Sequence, residues 1–123
     1  MIYNKMYKIK FFTDRRGSSP VYDYIKKLNL KQRSKIYKYI EFLRDREGYL
    51  DEPYSRHVAG KIRELRVDFS NNHYRILYFS FINKNIIILH AFLKKDPKMP
   101  KKELKIAMDC YNNVINNPQI YED

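Results

Sequence analysis

The side chains best suited to chemistry in this chain are cationic and fall in three short strings. Arg66 sits in Ile62-Arg63-Glu64-Leu65-Arg66, Arg75 in Tyr74-Arg75-Ile76-Leu77-Tyr78, and Lys94-Lys95 closes an apolar run that contains His90. Arginine stays protonated and offers a planar fork of donors, so Arg66 and Arg75 suit phosphate binding and stabilisation of charge building on phosphorus. Lysine can titrate usefully where cations crowd it, which makes Lys94 and Lys95 candidates for a base or an acid. Such a set fits cleavage of RNA by its own 2′-hydroxyl. That reaction needs a proton acceptor, a proton donor for the 5′ oxygen, and fixed cations. His90, Glu64 and Tyr74 are candidate supporting residues, with Tyr74 and Tyr78 sharing a strand face from which an aromatic ring can stack on a base. Lys98, Lys101, Lys102 and Lys105 continue the basic stretch and are candidates for contact with RNA or the ribosome.

Each assignment has a plainer alternative. Arg75 can pair with Glu64 or Asp68 across neighbouring strands. His90 fits a buried, hydrogen-bonded imidazole, and Tyr78 fits core packing. The lysines from Lys98 to Lys105 fit the solvated face of a helix. His57, in a loop, and His73, at a strand start, are given no role.

The rest of the composition agrees with a polyanion as partner. A formal charge of +11 over 123 residues attracts nucleic acid or an acidic protein. The 12 tyrosines can supply stacking surfaces, although most suit a half-buried core position with a wet hydroxyl. Other chemistries find little support. Gly17, Gly48 and Gly60 are scattered, so there is no phosphate-cradling loop. His57, His73 and His90 lack metal-ligand spacing, Glu64 and Asp68 have no third carboxylate beside them, and no serine sits in an elbow motif. Neither a metal nor a cofactor is expected. The single cysteine, Cys110, rules out an intrachain disulfide framework. No apolar run approaches the ~20 residues needed to span a bilayer, and the N-terminus lacks a signal-peptide pattern. A cytoplasmic protein with no membrane partner is expected.

Positioning these side chains requires a sheet. Tyr7 to Phe12 reads as a first strand, with Ile9 and Phe11 alternating against lysines. Ser19 as N-cap and Pro20 at the first helical position start a short helix carrying Val21, Ile25 and Leu28. A longer helix runs from about Leu30 to Glu47, with Ile36, Ile40 and Leu43 on one face and Gly48 at its end. Tyr49 to Gly60 reads as a loop. Three strands follow over 61–69, 73–81 and 86–93, separated by asparagine-rich turns. The first of them places Leu65, Val67 and Phe69 on one face and Glu64, Arg66 and Asp68 on the other, where the two carboxylates fit simple solvation. Pro100 opens a last helix with Leu104, Ala107, Met108, Tyr111, Val114 and Ile115 at helical spacing, and Pro118 ends it. The order β-α-α-β-β-β-α predicts one α+β domain over 1–123, core about 6–115, with an N-terminal helical hairpin and a C-terminal helix on a mostly antiparallel sheet. Residues 1–5 and 117–123 are expected to fray.

The strings Glu64-Leu65-Arg66, Tyr74-Arg75-Ile76-Leu77-Tyr78 and Leu89-His90-Ala91-Phe92-Leu93-Lys94-Lys95, followed by Pro100, Glu103, Leu104 and Ala107, resemble the RelE/HigB toxins of bacterial type II toxin–antitoxin modules. The helical hairpin and Arg56-His57-Val58-Ala59-Gly60 precede them as in that family, and the phage-derived HigB-like branch is the nearest likeness. The resemblance spans roughly residues 6 to 115. It implies a small RelE-like fold and a ribosome-dependent, metal-independent endoribonuclease that cuts translated mRNA. It also implies neutralisation by a cognate helix-turn-helix antitoxin, through which alone operator DNA would be met. The family's phosphate-handling arginine carries over to Arg75, its Glu-Leu-Arg arginine to Arg66, and its basic pair to Lys94 and Lys95. Where some members place a lysine ahead of that arginine this chain has Glu64, and it lacks the paired C-terminal histidines of some HigB branches. The general base therefore stays open. Two other readings remain: a gyrase-inhibiting toxin like the ParE branch, which would not need Arg75 or the lysine pair, and a non-catalytic module binding RNA or antitoxin.

Overall fold

The computed structural model describes residues 6–123. Its elements are β1 (Lys8–Phe11), α1 (Pro20–Lys26), α2 (Leu30–Asp45), β2 (Ser55–Ala59), β3 (Ile62–Phe69), β4 (Asn72–Phe81), β5 (Asn85–Lys94) and α3 (Lys101–Asn116). The strands form one sheet in the order β1-β5-β4-β3-β2, parallel between β1 and β5 and antiparallel elsewhere. This is the expected α+β layout with one strand added.

Both hairpin helices begin where side chains can hold them. Ser19 caps α1 by accepting from the Tyr22 amide, and Pro20 follows at the first helical position. Asn29 and Gln32 form a reciprocal capping box at the start of α2, which lets three residues turn the chain between the helices. At the far end Gly48 takes a φ of +83° and its amide donates to the Leu43 carbonyl. The apolar stripe of the hairpin (Val21, Ile25, Ile36, Ile40, Leu43) is buried against one sheet face with Leu65, Val67, Tyr74, Ile76, Tyr78, Ile86 and Ile88. On the opposite face Leu77, Phe79, Ile87, Leu89 and Phe92 pack with Ala107 and Val114 of α3.

One irregularity sets which β5 side chains face α3. Leu77 of β4 pairs with His90, but the next residue, Tyr78, pairs with Ile88, so Leu89 is an extra residue in β5. Side chains alternate strictly in a regular strand. The bulge breaks that alternation, and Leu89, His90, Phe92 and Lys94 all come to the α3 face.

Three expectations are corrected. The segment read as a loop, Tyr49 to Gly60, contains β2, an edge strand whose outward residues Arg56 and His57 carry no apolar alternation. Its Ser55 is fully buried, with its hydroxyl 2.7 Å from that of Tyr78 and receiving Arg63 Nε at 3.1 Å. Residues 117–123 are not frayed: Tyr121 is 2% exposed, and its hydroxyl accepts from the Thr13 amide and donates to the Thr13 carbonyl. Asn83 holds the Glu122 carbonyl and Lys10 reaches the carbonyls of Tyr121 and Asp123, so the tail is strapped across the start of the sheet. The reason is hydrophobic: Tyr121 completes the α3-side core. Third, Glu64 is 2% exposed rather than solvated. The expected fraying of residues 1–5 lies outside the described residues.

Candidate active site

Antiparallel register turns sequence distance into proximity. Arg66 of β3 stands directly across from Arg75 of β4, which stands across from Phe92 of β5. One step further along, Asp68, His73 and Lys94 form the next row, on the same face by the two-residue repeat of a strand. Helix α3 packs on β5 and leaves this end of the face open. The result is a cleft of ≈ 320 Å³ lined by Arg66, His73, Arg75, Lys94, Lys95, Asp96 and Pro97. Arg66, Arg75, Lys94 and Lys95 are therefore brought together from three strands.

Their environments differ. Arg75 forms the floor, 3% exposed, with one terminal nitrogen donating to Asp68 Oδ1 at 2.8 Å and to the Tyr74 carbonyl at 2.9 Å. Its Nε is buried without a hydrogen-bond partner among the described residues. Arg66 is partly open, and its Nε lies 4.0 Å from Glu64 Oε1. Lys94 is half-buried and Lys95 exposed. The same Asp68 oxygen that holds Arg75 also meets His73 Nδ1 at 3.0 Å. Burial of the Asp68 carboxyl favours its protonated form, yet the hydrogen bonds and charges of Arg75 and His73 outweigh it and hold its pKa below the ordinary value. Asp68 is thus an anion wired to the floor of the cleft and to a histidine in its wall. Arg75 pairs with Asp68 and not with Glu64.

The supporting candidates lie elsewhere. Tyr74 is buried on the hairpin side of the sheet, as is Tyr78, so neither ring faces the cleft. His90 faces α3: its Nε2 is 3.0 Å from Glu103 Oε1 and its ring stacks on Phe92 with centroids 5.7 Å apart. That contact ties the bulge to the first turn of α3. Glu64 shares the face of Arg66 but is buried behind it, with Oε2 unpartnered among the described residues. Lys98, Lys101, Lys102 and Lys105 are exposed outside the cleft lining, and Lys105 pairs with Asp109 at 3.2 Å along α3. Sequence reasoning missed His73 and Asp68. Their signal was there in the tight turn Ser70-Asn71, which makes them direct cross-strand partners. Among the described residues no group of three or more His, Cys, Asp or Glu side chains is placed to hold a metal ion.

The chain matches the family model described as phage derived protein Gp49-like (DUF891) over residues 23–112, from within α1 to within α3. It belongs to the Gp49-like family. This is the phage-derived branch to which the sequence strings pointed, and the RelE/HigB-like resemblance is borne out at that level. Curated relatives from two strains of Mycobacterium tuberculosis, each named probable endoribonuclease HigB1, are 38% identical over 52 residues. The alignment covers 42% of this chain and 41% of each relative, so this Gp49-like chain matches about two fifths of their length. Among the described residues no helix is long and apolar enough to cross a membrane.

Proposed function

We propose that this Gp49-like chain, as one RelE/HigB-like domain, is the toxin of a type II toxin–antitoxin module, a cytoplasmic endoribonuclease that cuts mRNA during translation. The observation that carries this reading is the convergence of Arg66, Arg75, Lys94 and Lys95 on one open cleft. A phosphodiester seated there meets Arg66 and the lysine pair directly, above the buried charge of Arg75. As the 2′ oxygen attacks, the extra negative charge on the phosphoryl oxygens develops where these donors already stand, so no reorganisation is needed. The similarity to proteins named probable endoribonucleases supports the same reading. The exposed lysines of α3 and its approach then serve docking on ribosomal RNA, which should make binding strongly salt-dependent. A helix-turn-helix antitoxin with an acidic segment would neutralise the toxin.

Primer extension on cellular mRNA after induced expression tests the proposal. Discrete, translation-dependent cuts are expected, and Lys94→Ala and Lys95→Ala should each lower cutting and toxicity by about 100-fold or more. Intact mRNA with stalled or broken DNA would overturn it in favour of gyrase inhibition. Full cutting by both lysine variants would remove the lysine pair from the chemistry.

A further inference from the structure

The residue that takes the 2′ proton is not identified by the cationic set, because arginine does not titrate and the lysine pair is needed protonated, as the donor to the 5′ oxygen. We infer that His73 is that proton acceptor, acting through Nε2, and that Asp68 is the residue that positions it; this rests on the nuclease reading above. Three observations carry it. His73 lines the same cleft as the four cations. Its Nδ1 is engaged by Asp68 Oδ1 at 3.0 Å. Its side chain is 54% exposed, so Nε2, which has no hydrogen-bond partner among the described residues, is open to substrate.

The hydrogen bond determines which nitrogen is basic. An ionised carboxylate can only accept, so Nδ1 carries the hydrogen and the lone pair of the neutral ring lies on Nε2. Asp68 is kept ionised by Arg75, whose terminal nitrogen shares the same oxygen at 2.8 Å. The phosphate-facing floor and the proton acceptor are thereby linked through one atom. The charged groups that face the imidazole are Asp68 and Arg66 from β3, Arg75 from β4, and Lys94, Lys95 and Asp96 from β5 and the segment after it. In the reaction, the 2′ oxygen bonds to phosphorus and its proton passes to His73 Nε2. The bond from phosphorus to the 5′ oxygen breaks, and that oxygen takes a proton from the lysine pair. The products are a 2′,3′-cyclic phosphate and a 5′-hydroxyl end, and no co-reactant is needed.

Two measurements test the assignment. In single-turnover cleavage of mRNA on purified ribosomes, the wild-type rate should climb with pH, as for any reaction that needs an unprotonated acceptor, and then level off. His73→Gln, checked for native circular dichroism and ribosome binding, should be about 100-fold slower and lose that climb. If it cuts within threefold of wild type with the climb intact, His73 is not the acceptor, although the nuclease reading stands. If the wild type cuts nothing, the nuclease reading falls and takes this inference with it. Independently of activity, nitrogen NMR of the neutral imidazole should show the hydrogen of His73 on Nδ1, and Asp68→Asn should weaken that preference. A hydrogen on Nε2 in the wild type would overturn the inference even if His73→Gln failed to fold.

Discussion

Replacing Asp68 by Asn tests the electrostatics of the cleft without changing its shape. The substitution keeps an acceptor near Arg75 and His73 but removes the charge. Breaking a fully buried ion pair costs about 3–5 kcal/mol, because an uncompensated charge is left behind. An exposed pair contributes only about 0–1 kcal/mol. Here the pair is asymmetric: the Arg75 side chain is 4% exposed and that of Asp68 58%. Solvent screens the carboxylate end, so a loss of about 2 kcal/mol, between those limits, is expected. Unfolding entropy is about 2.1 cal/mol/K per residue, or about 0.26 kcal/mol/K for 123 residues, so Tm should fall by about 8 °C at pH 7. The pH dependence fixes the cause. A carboxyl whose folded pKa lies below its unfolded value contributes stability that is complete above the unfolded pKa and disappears as pH falls through the folded one. Asp68 is lowered from 3.8, so wild type and variant should differ fully near pH 7 and converge in acid, as the pH falls below 3.8 and through the folded value. Thermal melts followed by circular dichroism at both pH values measure this. Equal stability at pH 7, or a gap that persists in acid, would refute the idea that Asp68 neutralises Arg75.

Further outcomes follow from the packing. Tyr121→Phe removes a hydroxyl that serves both the amide and the carbonyl of Thr13, and should lower stability by about 1–2 kcal/mol, read from the urea midpoint at unchanged slope. Gly48→Ala places a Cβ 2.6 Å from Ser80 Oγ at a φ of +83°, and should cost about 1–2 kcal/mol by the same measurement. The Cys110 thiol is pushed up to about 11 by burial and then by Asp109, so alkylation at pH 8 should be slow until the protein is unfolded.

Much of this architecture was legible because its signals are local. Ser19-Pro20 and Gly48 mark helix ends by backbone chemistry that does not depend on the rest of the fold. The strands β3 to β5 announce themselves by apolar content between turns rich in asparagine. Edge strand β2 was hidden because its exposed residues need no apolar period, and its buried residue is a serine hydrogen-bonded to Tyr78. The tail was hidden because the partner of Tyr121, Thr13, lies 108 residues away. At the site, the cationic residues stood out by type. Asp68 and His73 did not, since an exposed Asp and His near a turn are ordinary until register places them in one row with Lys94. Tyr74 was misplaced toward the site because it adjoins Arg75, whereas neighbours in a strand point to opposite faces.

The extra residue in β5 lets one strand present two neighbours, Leu89 and His90, to the same helix, one for the core and one for Glu103. Deleting Leu89 would restore unbroken pairing with β4 and leave Lys94 opposite His73, because the extra residue is what the ladder already steps over. The charged row of the cleft would survive, and the loss would fall on the packing between the sheet and α3. For chains of this kind, a one-residue gap here reports on how the last helix is held and not on the chemistry beside it.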